Sequence, residues 1–95
     1  MTIERLRAQR DVILALAERH GVRNVRIFGS VVRGDDRPDS DVDVLVDVGP
    51  GRSLPDIIGF EQDLSDLLRR RVEVLTDRGL SPRLQHRILQ EAAPL

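Results

Sequence analysis

The 95-residue chain contains no cysteine, lysine, tyrosine or tryptophan. Without cysteine there is no disulfide, no thiolate nucleophile and no Cys-ligated zinc. All 15 basic residues are arginine, so no lysine is present to form a Schiff base, serve a Walker A loop or carry a covalent lysyl-nucleotide. Phe28 and Phe60 are the only aromatics, too few for a platform that stacks bases, and no direct nucleic-acid binding is expected. No stretch approaches the roughly 20 apolar residues of a membrane span. The amino terminus carries acids and lacks the apolar run of a signal peptide, so a cytoplasmic location and no membrane association are expected. Charge of one sign is also lacking: the formal net charge is -1, so global charge points to no partner.

What is present fits one small domain over residues 1–95, with a single core that is marginal by area. Ile3, Leu6, Ile13, Leu14 and Ala17 recur at helical spacing between a capping Thr2 and Gly21, predicting one amphipathic helix over 3–20. "VRNVRIF" predicts a first strand, and "DVDVLVDV" a second from Asp41 to Val48, closed by the Gly49-Pro50-Gly51 turn. Ser53-Leu-Pro-Asp56 has the pattern of a capping box, and Ile57, Phe60, Leu64, Leu67 and Leu68 continue a helix to about Arg70. "RVEVLT" predicts a third strand. Ser81-Pro82 starts a last helix whose Leu84, Ile88 and Leu89 are expected to complete the core. The long helix between the second and third strands has the length of a parallel crossover, while the short first connection suits an antiparallel pair. The expected fold class is therefore α+β, a small mixed sheet with flanking helices.

In that arrangement the end of the first strand and the starts of the other two meet at one edge. Side chains alternate along a strand, so Val42, Val44, Val46 and Val48 form a core face and Asp41, Asp43, Leu45 and Asp47 the opposite one. The same phase in the third strand places Glu73 beside Asp41 and Asp43. The Cα atoms of the two aspartates are about 6.8 Å apart by strand rise, near enough for their oxygens to share a cation. An all-oxygen donor set favours magnesium or manganese. Alternating acids are also what the wet face of a half-exposed sheet looks like. Against that, like charges facing one another across a strand pair are destabilising, and these acids gather at one corner. A Gly-Ser turn such as Gly29-Ser30 is by itself only a turn. His20 fits a favourable charge at a helix C-terminus, His86 a helix surface, and Arg69-Arg70-Arg71 a solvated helix end.

Taken together, "GSVVRGDDRPDSDVDVLV" resembles the signature of the polymerase-beta-like nucleotidyltransferases. The short chain is similar to the minimal nucleotidyltransferase family, which includes MntA-type antitoxins paired with HEPN-domain toxins. The resemblance implies that Gly29 and Ser30 hold a nucleotide triphosphate through backbone amides and hydroxyl, and that Asp41 and Asp43 are the metal-binding pair. It implies that Glu73 is the third acid, generally Asp in the wider superfamily, acting as metal ligand and in activating the acceptor hydroxyl. Arg33 and Ser40 match positions near the phosphates. The implied activity is magnesium- or manganese-dependent transfer of AMP from ATP to a hydroxyl, a tyrosine, of a partner HEPN-type toxin, so that the chain acts as antitoxin. Such chemistry needs no covalent enzyme intermediate, in keeping with a chain that has neither Cys nor Lys. Two alternatives share these motifs: a small-molecule nucleotidyltransferase of the antibiotic-modifying kind, and an idle antitoxin that acts by binding alone.

Overall fold

A computed structural model describes residues 1–95. The elements run α1 (Ile3–Ala8), α2 (Arg10–Arg19), β1 (Val22–Phe28), α3 (Ser30–Arg33), β2 (Val42–Val48), α4 (Leu54–Leu68), β3 (Val72–Thr76), α5 (Pro82–Glu91) and β4 (Ala93–Pro94), with a 3-10 turn at Asp77–Gly79. The strands form one sheet in the order β3-β2-β1-β4. β1 is antiparallel to both β2 and β4, and β2 is parallel to β3 across α4. This is the mixed α+β sheet expected from the sequence.

The alternation in β2 sets the layers. Val42, Val44 and Val46 are fully buried, joined by Val72 and Val74 of β3 and covered by Leu6, Ile13, Phe60 and Leu64. Val48, at the strand end, is only half-buried. In β1 an irregularity between Arg23 and Arg26, with Asn24 at φ 54°, inserts a residue into the alternation, so that Val22 and Val25 are both buried. The opposite face is not simply wet. Leu45 is fully buried against Phe28 and Ile88, because α5 lies across the sheet there.

Caps follow the sequence closely. Thr2 accepts from the Arg5 amide at 3.2 Å, and the Asp56 carboxylate accepts from the Ser53 amide at 2.9 Å at the start of α4. Four expectations need correction. The helix over 3–20 is broken at Gln9, whose backbone (φ -106°, ψ 17°) leaves helical geometry. Glutamine is a good helix former, so the break is no local signal. It accompanies tertiary contacts of α1, in which Arg7 Nη2 donates to the Pro94 carbonyl at 2.8 Å and the Met1 amino group lies 3.2 Å from Asp36. α4 ends at Leu68, with Arg69 in a left-handed conformation (φ 54°). β4 was not anticipated, since two residues ending in proline carry no strand pattern and pair only because α5 delivers them to the edge of β1. Of the last helix only Ile88 joins the core, whereas Leu84 and Leu89 remain more than 40% exposed.

Candidate active site

Strand register brings the candidate acids together at one edge. Asp43 is the direct partner of Glu73 across the parallel pair, and of Phe28 across the antiparallel pair. Gly29 therefore lies beside Asp43 as the chain leaves β1. A Cβ placed on Gly29 would come within 2.2 Å of the Asp43 Oδ2, and its φ of 77° with ψ of -150° is a region open in practice only to glycine. The Gly-Ser turn is thus more than a change of direction: it lets backbone approach a carboxylate. Ser30 opens α3, and its hydroxyl is 3.4 Å from Asp36 Oδ1.

The loop between α3 and β2 is held by a residue that the sequence assigns to solvent. Arg70 donates to Asp36 Oδ1 at 2.8 Å and Oδ2 at 3.2 Å, and to the carbonyls of Arg37 at 2.9 Å and Ser40 at 2.6 Å. The Asp36 side chain is 5% exposed, and hydrogen bonding from Arg70, followed by the nearby amino terminus, holds its carboxyl below the usual range. Hence Arg70 fixes the segment that delivers Asp41. The expectation of a solvated helix end holds for Arg71, which is exposed, and fails for Arg70, because the chain turns at Arg69 and aims the next side chain inward. Ser40, a candidate phosphate contact, uses its hydroxyl to accept from the Arg37 amide at 3.1 Å and so shapes this loop.

Asp43 carries the electrostatic load. Burial pushes its carboxyl up to about 6, and the charges of Glu73, Asp41 and Glu91 push in the same direction against Arg33. The carboxylates share an edge without forming a closed ligand set: no three His, Cys, Asp or Glu side chains stand close enough to hold a metal ion. Asp41 lies 4.0 Å from Arg71 Nε. The donor chemistry nevertheless fits a hard divalent cation, since Asp41, Asp43 and Glu73 offer only oxygen and their crowded negative charge is what such an ion would neutralise. Asp47, on the same face, belongs to another structure. It accepts from Asn24 Nδ2 at 3.0 Å and Arg26 Nη2 at 3.1 Å, which makes it a strand-pair contact.

Arg33, at the end of α3, reaches Glu91 at 2.7 Å as well as Asp35 at 3.4 Å, and the bond to Glu91 is the main reason its guanidinium is held above its ordinary value. Glu91 also accepts from the Gly29 amide at 3.1 Å. No sequence signal marked Glu91, the last residue of a polar helix distant in the chain. A cleft of about 770 Å³ opens here, lined by Gly29, Arg33, Asp43, Arg87 and Glu91 with an apolar floor from Phe28 and Ile88. A cleft of about 750 Å³ at the opposite end of the sheet, around the 49–54 loop and Arg78, contains none of the candidate residues. His20 does cap α2 but also bonds Asp63 at 2.6 Å, while His86 is exposed as expected.

Known proteins share the sequence pattern and the fold. Residues 10–95 match the profile of the nucleotidyltransferase domain. Protein adenylyltransferase MntA of Thermococcus cleftensis is 42% identical over 76 residues, covering 80% of this chain and 77% of the relative. A provisionally assigned protein adenylyltransferase of Methanocaldococcus jannaschii is 40% identical over 80 residues, covering 84% of this chain and 86% of that protein. A provisionally assigned minimal nucleotidyltransferase of known structure superposes with a TM-score of 0.88 at 48% identity, covering 100% of this chain and 97% of the other. A MntA-HepT toxin-antitoxin structure shares the fold at 17% identity and a TM-score of 0.69, over 93% of this chain and 69% of that one. With the profile matched over most of its length and the fold over all of it, the chain belongs to the nucleotidyltransferase domain family, as a minimal member with the polymerase-beta-like fold.

Proposed function

We propose that this chain is a protein adenylyltransferase that moves AMP from ATP to a tyrosine hydroxyl of a HEPN-type toxin and so acts as its antitoxin in the cytoplasm, with residues 1–95 serving as one catalytic domain. The observation that carries this reading is the close approach of Gly29 to Asp43, which sets the buried backbone of the Gly-Ser turn directly against one carboxylate of the acid pair. In transfer, the acceptor oxygen forms a bond to the α-phosphorus, the bond from that phosphorus to the bridging oxygen of the β-phosphate breaks, and pyrophosphate leaves. Gly29, Ser30 and Arg33 bind and orient the triphosphate, with Ser40 shaping the loop beside it. Asp41, Asp43 and Glu73 would hold magnesium or manganese, which when bound offsets the charge on the attacking and leaving oxygens. Glu73, exposed near the start of β3, would take the acceptor's proton. Apart from the cleft floor this edge has little wall of its own, so a protein partner supplies the rest and fixes the line of attack.

Calorimetry with ATP, with and without magnesium, tests the site. Binding should tighten with the metal, and indifference to it would remove the metal assignment even if ATP bound. Efficient labelling of an aminoglycoside without any protein partner would favour a small-molecule transferase instead.

A further inference from the structure

A carboxylate already sits where the proposed reading requires phosphate. Glu91 Oε2 accepts from the Gly29 amide at 3.1 Å, and Oε1 accepts from Arg33 Nη1 at 2.7 Å. One backbone N–H and one guanidinium are the donors that phosphate oxygens use. Glu91 is thus matched to the anion subsite through both of its oxygens, and it brings a negative charge into a cleft that also holds Asp43.

We infer that Glu91 is a built-in occupant of the phosphate subsite, engaging the Gly29 amide and Arg33 in the free protein and releasing both donors as a triphosphate enters. The inference rests on the reading of this cleft as a nucleotide site. Release needs only a side-chain movement. The backbone on either side is fixed, with the Ala92 amide bonded to the Ile88 carbonyl at 2.8 Å and Ala93 paired with Ile27 in the sheet, while the Glu91 side chain keeps 25% exposure as a route to solvent. Arg87, one helical turn earlier, lines the same cleft and has no carboxylate within 4.0 Å, so the cleft turns cationic once Glu91 leaves. Ligands that bring too little negative charge to displace Glu91, such as a free nucleoside, are disfavoured against the triphosphate. Glu91 therefore sets selectivity as well as affinity.

The test is calorimetric titration of the intact chain with magnesium-ATP and with inorganic tripolyphosphate, for wild type, Glu91→Gln, Glu91→Ala and a remote charge control, Glu4→Gln. Both Glu91 variants should bind both ligands about fivefold tighter, the scale of one partly exposed ion pair, with Glu4→Gln unchanged. Thermal melts identify folded variants, and the near-isosteric Gln carries the test if Ala does not fold. Should wild type bind ATP and the folded Glu91 variants bind no tighter, Glu91 only anchors α5, and the inference falls while the nucleotide site stands. Equal tightening in Glu4→Gln would reduce the effect to general charge and overturn it. If no protein binds either ligand, the nucleotide reading falls with it.

Discussion

At the residue scale the site trades stability for charge placement. Asp43 is kept partly out of water beside Glu73 and Asp41, an arrangement that raises its proton affinity and costs folding free energy. Asp43→Asn should therefore be more stable than wild type in chelator at neutral pH, by about 1 kcal/mol, while losing transfer. Thermal melts and an activity assay on the same preparation check this; a variant that was less stable and fully active would contradict both halves. Gly29→Ala meets two obstacles, the close Asp43 oxygen and a backbone conformation costing an alanine about 1–3 kcal/mol. It should lower the melting temperature and weaken ATP binding together. That Asp43 and Glu73 meet at one edge was legible in the sequence because alternation fixes which side chains share a face, whereas Gly29-Ser30 was singled out by the family resemblance alone. Arg70 and Glu91 were not legible, because their partners lie 34 and 62 residues away, at Asp36 and Gly29, and only the folded chain brings them together.

At the element scale two joints hold the site's scaffold. His20, at the end of α2, packs on Gly59 of α4 and bonds Asp63; a Cβ on Gly59 would lie 2.8 Å and 2.9 Å from the ring atoms Cε1 and Nδ1. Gly59→Ala should destabilise despite alanine's better helix propensity, because the tethered ring has to move. In a His20→Ala background the sign should reverse, to a gain of about 1 kcal/mol, and denaturant titration of the four proteins measures it. The second joint is Asp36 with Arg70. Because the folded state holds the Asp36 carboxyl below its unfolded value, the pair stabilises above the unfolded value near 4, and this contribution disappears as pH falls through the folded one. Asp36→Asn should cost about 3 kcal/mol at pH 7, and its deficit against wild type should shrink in melts taken at progressively lower pH below about 4. A constant deficit down to pH 2 would show that the charge is not the source. Of the elements, β1 and β2 carry enough local pattern to be read directly. The Gln9 break and β4 depend on where distant segments dock, which no local period records.

For the whole molecule, one mixed sheet gathers the Gly29-Ser30 turn, Asp41 with Asp43, and Glu73 at a single edge, with α4 setting the parallel register and α5 closing one side of the cleft. Apart from the break at Gln9 and the added β4, the expected element order was correct, because helix and strand periods are distinct along the chain. The closing role of α5 was not legible, since Leu84 and Leu89 look like core residues yet stay half in water. Residues 1–95 contain no tyrosine, so the proposed tyrosine acceptor does not lie among them, and the proposal is one of transfer in trans. Intact-mass spectrometry after incubation with ATP, magnesium and the cognate HEPN-type partner tests this most directly. AMP should appear on the partner and not on this chain, and should vanish with chelator or with Asp41→Asn; AMP on this chain alone, or an unmodified partner under conditions where ATP binds, would contradict it.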